Sequence, residues 1–280
     1  RNMGWITSEV FDLIVSWHSL LILLGIYAMI RRHFIGGIIL FLAAYISSKS
    51  REMRQWKKMV IPFLFAIPII VIVGIENLST CIILLAISFI MIFVATPLWV
   101  PFVVIGLIGV AGAGGLLLTQ GYRMERITVW LDPAASEKGH QTIQGLYAIG
   151  SGGLFGKGLG QSMQKLGFLP EANNDMIFSV ICEELGLFGA LCVLALFFAL
   201  IWRFMVIAVN APDLYGSMIV VGVIAHIGIQ VFINIAVATN TIPNTGIPLP
   251  FISYGGSSLV FMLLEMGLVL SVSRYINVKK

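Results

Sequence analysis

Residues Ile177–Trp202 read IFSVICEELGLFGALCVLALFFALIW, with Glu183 and Glu184 as the only charges. An α-helix needs roughly 17 to 25 predominantly apolar residues to cross the hydrocarbon core of a bilayer, so this run predicts a membrane span. Working outward, comparable runs occupy Phe11–Ile30, Met59–Ile75, Leu78–Ala95, Leu98–Leu118, Leu214–Ala238 and Ser258–Val272, with Phe34–Ile46 as a shorter eighth. The composition agrees. Of 280 residues 59% are hydrophobic and 11% charged, with a mean hydropathy of +0.99, whereas a soluble surface carries about 25–35% charged residues. The sequence therefore predicts an all-α polytopic membrane protein with about eight transmembrane helices, and it excludes a soluble globule. The basic residues sit in short connectors and leave no nucleic-acid footprint. Cys81, Cys182 and Cys192 lie in apolar runs without metal-ligand spacing and read as small hydrophobic filler.

Charge asymmetry sets the expected orientation. The connector 47–58 holds Lys49, Arg51, Arg54, Lys57 and Lys58 against Glu52. If it is cytoplasmic, alternation also places Arg1, Arg203, Arg274, Lys279 and Lys280 inside, against Arg31 and Arg32 in short outer loops, which satisfies the positive-inside rule with both termini cytoplasmic. Phe11–Ile30 has too little preceding positive charge and no small-residue cleavage site for a signal peptide, so it is expected to remain as a span.

Two outer segments are too long to be bare connectors. The first, 119–176, is expected to be a large extracellular loop containing interfacial helices, because structureless loops above roughly 12–15 residues are uncommon unless functional or disordered. Its Gly150–Gly160 stretch, GSGGLFGKGLG, departs from a phosphate-binding loop at Ser151 and Gly158 and reads from spacing as a flexible turn. Asp175 precedes the apolar run at Ile177, where spacing alone favours a helix cap over a catalytic group. The second segment, 239–257, reads TNTIPNTGIPLPFISYGGS, in which prolines stiffen the backbone and Ser253, Tyr254 and Ser257 offer hydroxyls. Pairing Ser257 with His226 for intramembrane proteolysis fails the G-x-S-x-G pattern, since Leu259 holds the last position.

Polar side chains at membrane depth either join helices or line a cavity. His226, Gln230 and Asn234 recur every four residues and share one helix face. His226 and Glu265 both lie near the middle of their runs and are expected to pair. Glu183 and Glu184 remain open between the two roles, and Gly106, Gly109, Gly112, Gly114 and Gly115 are expected to permit close helix packing.

The stretches Ala148–Gly160, QKLGFLPE at 164–171, Asp175–Phe178, EELG at 183–186 and PNTGIPLPFISYGGS at 243–257, with Arg126–Ile127 and Asp132–Pro133, resemble the FtsW/RodA/SpoVE family, also called SEDS proteins. The likeness runs from about Ser47 to the C-terminus and is greatest to the division-associated FtsW branch. It implies a peptidoglycan glycosyltransferase that polymerises lipid II at the outer face of the bacterial cytoplasmic membrane during division or elongation. The implied partners are a class B penicillin-binding transpeptidase and other divisome or elongasome membrane proteins, and the implied site of action is the septum. A lipid II flippase and an inactive scaffold recruiting a transpeptidase are the alternatives. The family's essential aspartate falls on Asp175, as general base. By charge, Arg126 and Lys165 are expected to neutralise the leaving pyrophosphate, alone or with a divalent cation such as Mg2+. Glu171, Gln230, Asn234, Ser253, Tyr254 and Ser257 are expected to line or position the groove. The family has about ten helices, so a segment near 31–37 is expected to be missing from this chain.

Overall fold

A computed structural model describes residues 34–50, 56–96, 102, 106, 121–136 and 139–276. Among them there are helices and no strands. The helices are α1 (Phe34–Ser48), α2 (Trp56–Glu76), α3 (Leu78–Ala95), α4 (Gly121–Leu131), α5 (His140–Gly152), α6 (Ile177–Val209), α7 (Leu214–Ala238) and α8 (Gly256–Arg274). Helices α3, α6, α7 and α8 are long and apolar enough to cross a membrane, and shorter apolar stretches lie at Ile35–Ser48 and Ile61–Ile75. Six of the eight expected spans thus fall on described helices. Phe11–Ile30 lies outside the described residues, as do residues 31–33 of the stretch where a segment is expected to be missing, and nearly all of Leu98–Leu118 with four of its five glycines.

The described residues form two compact units, to each of which α6, α7 and α8 contribute. The first holds α1 to α3, the C-terminal end of α6, the first half of α7 and the second half of α8. Its core is aliphatic: Ile38, Ile39, Leu42 and Ile46 of α1 with Leu84, Ile87, Met91 and Ile92 of α3 are almost completely buried. Close approach requires Gly222 of α7, where an added Cβ would stand 2.6 Å from Ile39 Cγ2 and 3.1 Å from the Met91 sulfur. Asn77 caps α3 by accepting from the Thr80 amide at 3.1 Å, which starts a new helix one residue after α2 ends. Within this apolar setting His226 and Glu265 do meet, with His226 Nδ1 2.7 Å from Glu265 Oε2 and both side chains buried.

The second unit comprises α4, α5, most of α6, the end of α7, the loop that follows it and the start of α8. Its organising feature is a break in α6. The helix runs past the expected end at Trp202 to Val209, but Gly186 within it has φ 68° and ψ −168°, a backbone region open essentially to glycine alone. The break separates the carbonyls of Glu183 and Glu184 from the amides of Leu187 and Phe188, their partners in an unbroken helix. The glycine-rich segment supplies substitutes for all four groups. Lys157 and Gly158 amides donate to Glu183 and Glu184 carbonyls at 2.9 Å each, and Leu187 and Phe188 amides donate to Gly153 and Leu154 carbonyls at 2.9 and 3.1 Å. The stretch that reads as a flexible turn is thus a fixed backbone partner of a membrane helix.

The Glu183 side chain holds the same segment. Its buried carboxylate accepts from Lys157 Nζ at 2.7 Å, Ser162 Oγ at 2.6 Å and the Met163 and Gln164 amides at 3.3 Å. Glycine is required on both sides of the contact. A Cβ at Gly156 would lie 2.2 Å from the Glu184 carbonyl oxygen, and one at Gly186 2.4 Å from the Gly156 nitrogen.

Gly186→Ala is therefore expected to lower stability by about 2 kcal/mol or more, from the φ/ψ penalty and the clash together. Gly267→Ala, in open space on α8, should be neutral or slightly stabilising; thermal unfolding of the detergent-solubilised variants compares the two. For the buried pair, a double-mutant cycle with His226→Phe and Glu265→Gln should give a coupling of about 0.5–3 kcal/mol, whereas additive losses would mean no direct interaction.

Candidate active site

Asp175 sits in the turn that leads into α6 and is 7% exposed. Three elements fix it. Asn234, near the C-terminal end of α7, donates through Nδ2 to the Asp175 main-chain carbonyl at 2.8 Å and to the Ile247 carbonyl at 2.9 Å, so one amide joins the Asp175 turn to the loop after α7. Gln141, in the first turn of α5, places Nε2 3.3 and 3.5 Å from the two carboxylate oxygens. Gly246, with φ 69°, brings the loop close enough that a Cβ there would be 4.0 Å from Asp175 Oδ2.

Among the described residues no first-turn amide of α6 bonds to the carboxylate, so Asp175 is not spent on capping the helix that spacing alone assigns it to. Burial lifts its carboxyl above the usual carboxylate range, and the Glu171 charge adds to the lift; hydrogen bonds from its own backbone amide, Asn244 and Gln141 oppose it. The net direction is upward, toward a carboxylate that binds a proton more readily than an exposed one.

Asp175 opens onto a cavity of about 370 Å³, whose wall includes Glu125, Arg126 and Trp130 of α4, Gln141 and Thr142 of α5, and Asn240, Asn244 and Gly246 of the loop after α7. The wall is built by side chain to backbone bonds. Arg126 Nη1 donates to the Asn244 carbonyl at 3.2 Å, and Trp130 Nε1 to the Asn240 carbonyl at 3.0 Å. Arg126 is itself exposed and keeps guanidinium donors for an anion on the same wall as the carboxylate.

The expected site residues divide by position. Asp175 and Arg126 share the cavity. Asn234 and Ser253 stand behind it as braces: Ser253 Oγ donates to the Asn174 carbonyl at 2.6 Å and accepts from the Leu249 amide at 2.7 Å. Glu171, at φ 52°, shapes the approach to Asp175; its side chain pairs with Asn174 Nδ2 and its carbonyl accepts from the Asn174 and Met176 amides. Gln230 is buried with Oε1 unpaired, and it does not line the cavity. Tyr254 joins the site through its backbone amide, which donates to the Asn173 carbonyl at 2.8 Å, while its ring is exposed. Ser257 is exposed at the start of α8, away from the cavity wall.

Lys165 does not line the cavity either. The turn Gln164–Leu166 is tied to the Glu183 carboxylate through the Met163 and Gln164 amides, which holds Lys165 with the glycine-rich segment. Sequence reasoning passes over Gln141, Asn244 and Trp130. Asn244 lies inside the quoted PNTG stretch, but nothing in the sequence alone aims Gln141 at a residue 34 positions away.

For a divalent cation, the cavity offers two carboxylates, Glu125 and Asp175, and among the described residues no three His, Cys, Asp or Glu side chains converge. Mg2+ is usually held by one or two carboxylates plus substrate phosphates, so these residues suit a cation that a pyrophosphate accompanies and not one caged by protein.

The family model described as cell cycle protein, for FtsW, RodA and SpoVE, matches residues 36–278. Stage V sporulation protein E of Bacillus subtilis (strain 168) is 48% identical over 245 residues, covering 85% of this chain and 66% of that protein. The "Probable peptidoglycan glycosyltransferase FtsW" of Geobacter sp. (strain M18) is 35% identical over 241 residues, again 85% of this chain and 66% of the relative. The chain thus spans just under two thirds of the length of these relatives. The fold is shared with a chain of a peptidoglycan synthase complex at TM-score 0.71 and 23% identity, covering 97% of this chain and 83% of that one. It is also shared with the rod shape determining protein RodA of Thermus thermophilus at TM-score 0.57 and 24% identity, covering 96% and 80%. The matched residues include every helix and loop that builds the Asp175 cavity, and the chain belongs to the FtsW/RodA/SpoVE family of cell cycle proteins.

Proposed function

We propose that this membrane protein is a peptidoglycan glycosyltransferase that joins lipid II molecules into glycan strands at the outer face of the bacterial cytoplasmic membrane. The observation that carries the reading is a buried carboxylate of raised proton affinity on the wall of a cavity that also holds an arginine. Glycosyl transfer with inversion needs one base. Asp175 removes the proton of the acceptor sugar 4-hydroxyl, the oxygen bonds to the anomeric carbon of the donor, and the bond from that carbon to the pyrophosphate oxygen breaks. Polyprenyl pyrophosphate leaves with the electron pair, and Arg126 faces the negative charge that develops on it. Any divalent cation bound there would supply the same charge compensation.

Burial serves this role by raising the basicity of Asp175, while Arg126 stays exposed and keeps guanidinium donors for phosphate. Gln141 acts as a positioning residue, since its amide fixes the orientation of the carboxylate and favours the ionised form. The named relatives support the reaction class: one is called a peptidoglycan glycosyltransferase. A class B transpeptidase as partner, both termini in the cytoplasm, and action at the septum belong to the same proposal.

Purified chain with its transpeptidase and fluorescent lipid II tests the reading. Asp175→Ala should lower polymer formation by about 10²- to 10⁴-fold, the usual contribution of a general base, and full activity in that variant would refute the role of Asp175. Lipid movement across vesicles without polymer would point instead to the flippase, and transpeptidase binding with neither activity to the scaffold.

The pH dependence has a definite sign. Because Asp175 must be ionised and its carboxyl is lifted, the acid limb of the rate profile should lie above the ordinary carboxylate range. Gln141→Leu, which removes a bond to the ionised form, should move that limb further up. Stability should show the converse. A raised carboxyl favours the folded state while protonated and loses that advantage as pH rises through its folded value. Asp175→Asn should therefore unfold at a higher temperature than the native chain at neutral pH, with the gap closing as pH falls.

A further inference from the structure

The segment Gly153–Phe168 is bonded by its backbone to the break in a membrane helix, yet it turns its large apolar side chains outward. Phe155 is 80% exposed, Leu159 76% and Leu154 64%, with Met163, Leu166 and Phe168 also exposed. Such a cluster on a segment facing water would be a liability for a soluble surface. Its attachment gives the address. Leu154 accepts from the Phe188 amide, and Leu187, Phe188 and Leu191 of α6 are exposed apolar residues on a membrane-spanning helix. Beyond the break, Leu187–Val209 alone is long enough at 1.5 Å per residue to cross about 30 Å of hydrocarbon. The exposed side chains of the segment therefore continue the lipid-facing surface of α6 at its outer end.

The polar inventory suits the same setting. Irregular backbone is tolerated at membrane depth only where its polar groups are satisfied by protein, and the four exchanged bonds at Gly186 together with the Glu183 carboxylate do this. Lys165, whose ammonium has no partner among the described residues, is a cation on a long apolar stem, the kind of side chain that reaches lipid phosphate from the interface.

We propose that Gly153–Phe168 is a membrane-seated wedge whose Leu154, Phe155 and Leu159 side chains enter the acyl layer of the outer leaflet, with Lys165 at the phosphate level. The wedge leads directly into the Asp175 turn, so phospholipid sets the height of that turn relative to the headgroups. The inference rests on the membrane fold and, for the choice of leaflet, on the orientation proposed above, and not on the proposed reaction.

Single cysteines at Phe155 and Leu159, and at Phe188 as a lipid-facing reference, test it in the full chain with Cys81, Cys182 and Cys192 replaced by alanine. Each is labelled with an environment-sensitive fluorophore and reconstituted in vesicles of phosphatidylglycerol and phosphatidylcholine. All three positions are exposed, so labelling should leave the fold intact, and each variant's elution as a monodisperse species checks this. The wedge predicts blue-shifted emission at Phe155 and Leu159 and quenching by lipids brominated near the headgroup end of the acyl chain, comparable to Phe188, with little quenching by aqueous iodide. Strong iodide quenching at Phe155 and Leu159 with none from brominated lipid would overturn it. So would protection from iodide that appears only when a partner protein is added, which would make the surface a protein interface.

Discussion

The exchange of backbone hydrogen bonds at Gly186 is the constraint on which the second unit depends. An unbroken α6 would satisfy the Glu183 and Glu184 carbonyls internally and leave the Lys157 and Gly158 amides and the Gly153 and Leu154 carbonyls without these partners. Breaking the helix creates two unpaired acceptors and two unpaired donors, and an unmet polar group in an apolar setting costs about 1–3 kcal/mol. That cost is offset only when residues 153–158 dock in one register, because each chain presents two adjacent acceptors followed four residues later by two adjacent donors. The exchange thus does for a long loop what a hairpin does for a strand: it fixes position through the main chain. Specificity comes from glycine, since only a residue without Cβ lets the two backbones approach at Gly156 and Gly186.

Glu183 extends the same logic to a charge. A buried carboxylate is tolerable when hydrogen bonds and a cation surround it, and here every donor that reaches it comes from residues 151–164. The acid has few other ways to be satisfied, so it holds the loop as firmly as the loop holds it. The arrangement at His226 and Glu265 is different in kind. Those two side chains satisfy each other, leaving His226 Nε2 without a hydrogen bond, and they join two helices without recruiting any loop. Glu183 and Glu184, which sequence position alone leaves ambiguous, separate accordingly: the side chain of Glu183 is a tether, and both residues lend their carbonyls to the break.

What could be read from the sequence followed from the range of the signal. Apolar length is local, so α3 and α7 appear with the bounds that hydropathy gives, Leu78–Ala95 and Leu214–Ala238. The i, i+4 spacing of Gln230 and Asn234 is local as well, and Asn234 proves to hold the Asp175 carbonyl. The family likeness pointed to Asp175, and charge within a matched motif pointed to Arg126; the two line one cavity. Gly186 was hidden because a single glycine in an apolar run fits an intact helix at a cost of about 1 kcal/mol, and its partners lie some thirty residues upstream. Lys165 was placed by charge alone, without the tether to Glu183 that determines where the turn sits. Gln141 escaped because a side-chain amide at the start of a helix has no periodic or compositional signature.

The site and the break are one construction. From the break the chain leads back along the first turns of α6 to Asp175, and the glycine-rich segment reaches Asp175 through the turn at Leu169–Asn174. The carboxylate is therefore held at the junction of two chains that are themselves bonded to each other. Asn234 and Ser253 then lock that junction to the loop after α7 by bonding to main-chain carbonyls at Asp175 and Asn174. None of these braces touches the carboxylate oxygens. Their effect is to bury Asp175 without neutralising it, and the groups that do bond the carboxylate, Gln141 among them, are uncharged. A lysine or arginine in the place of Gln141 would satisfy the acid fully and depress its basicity; the neutral amide orients it and leaves its proton affinity raised. A weakly satisfied carboxylate is costly to stability, and the interlocked backbone around it is what allows the fold to carry one.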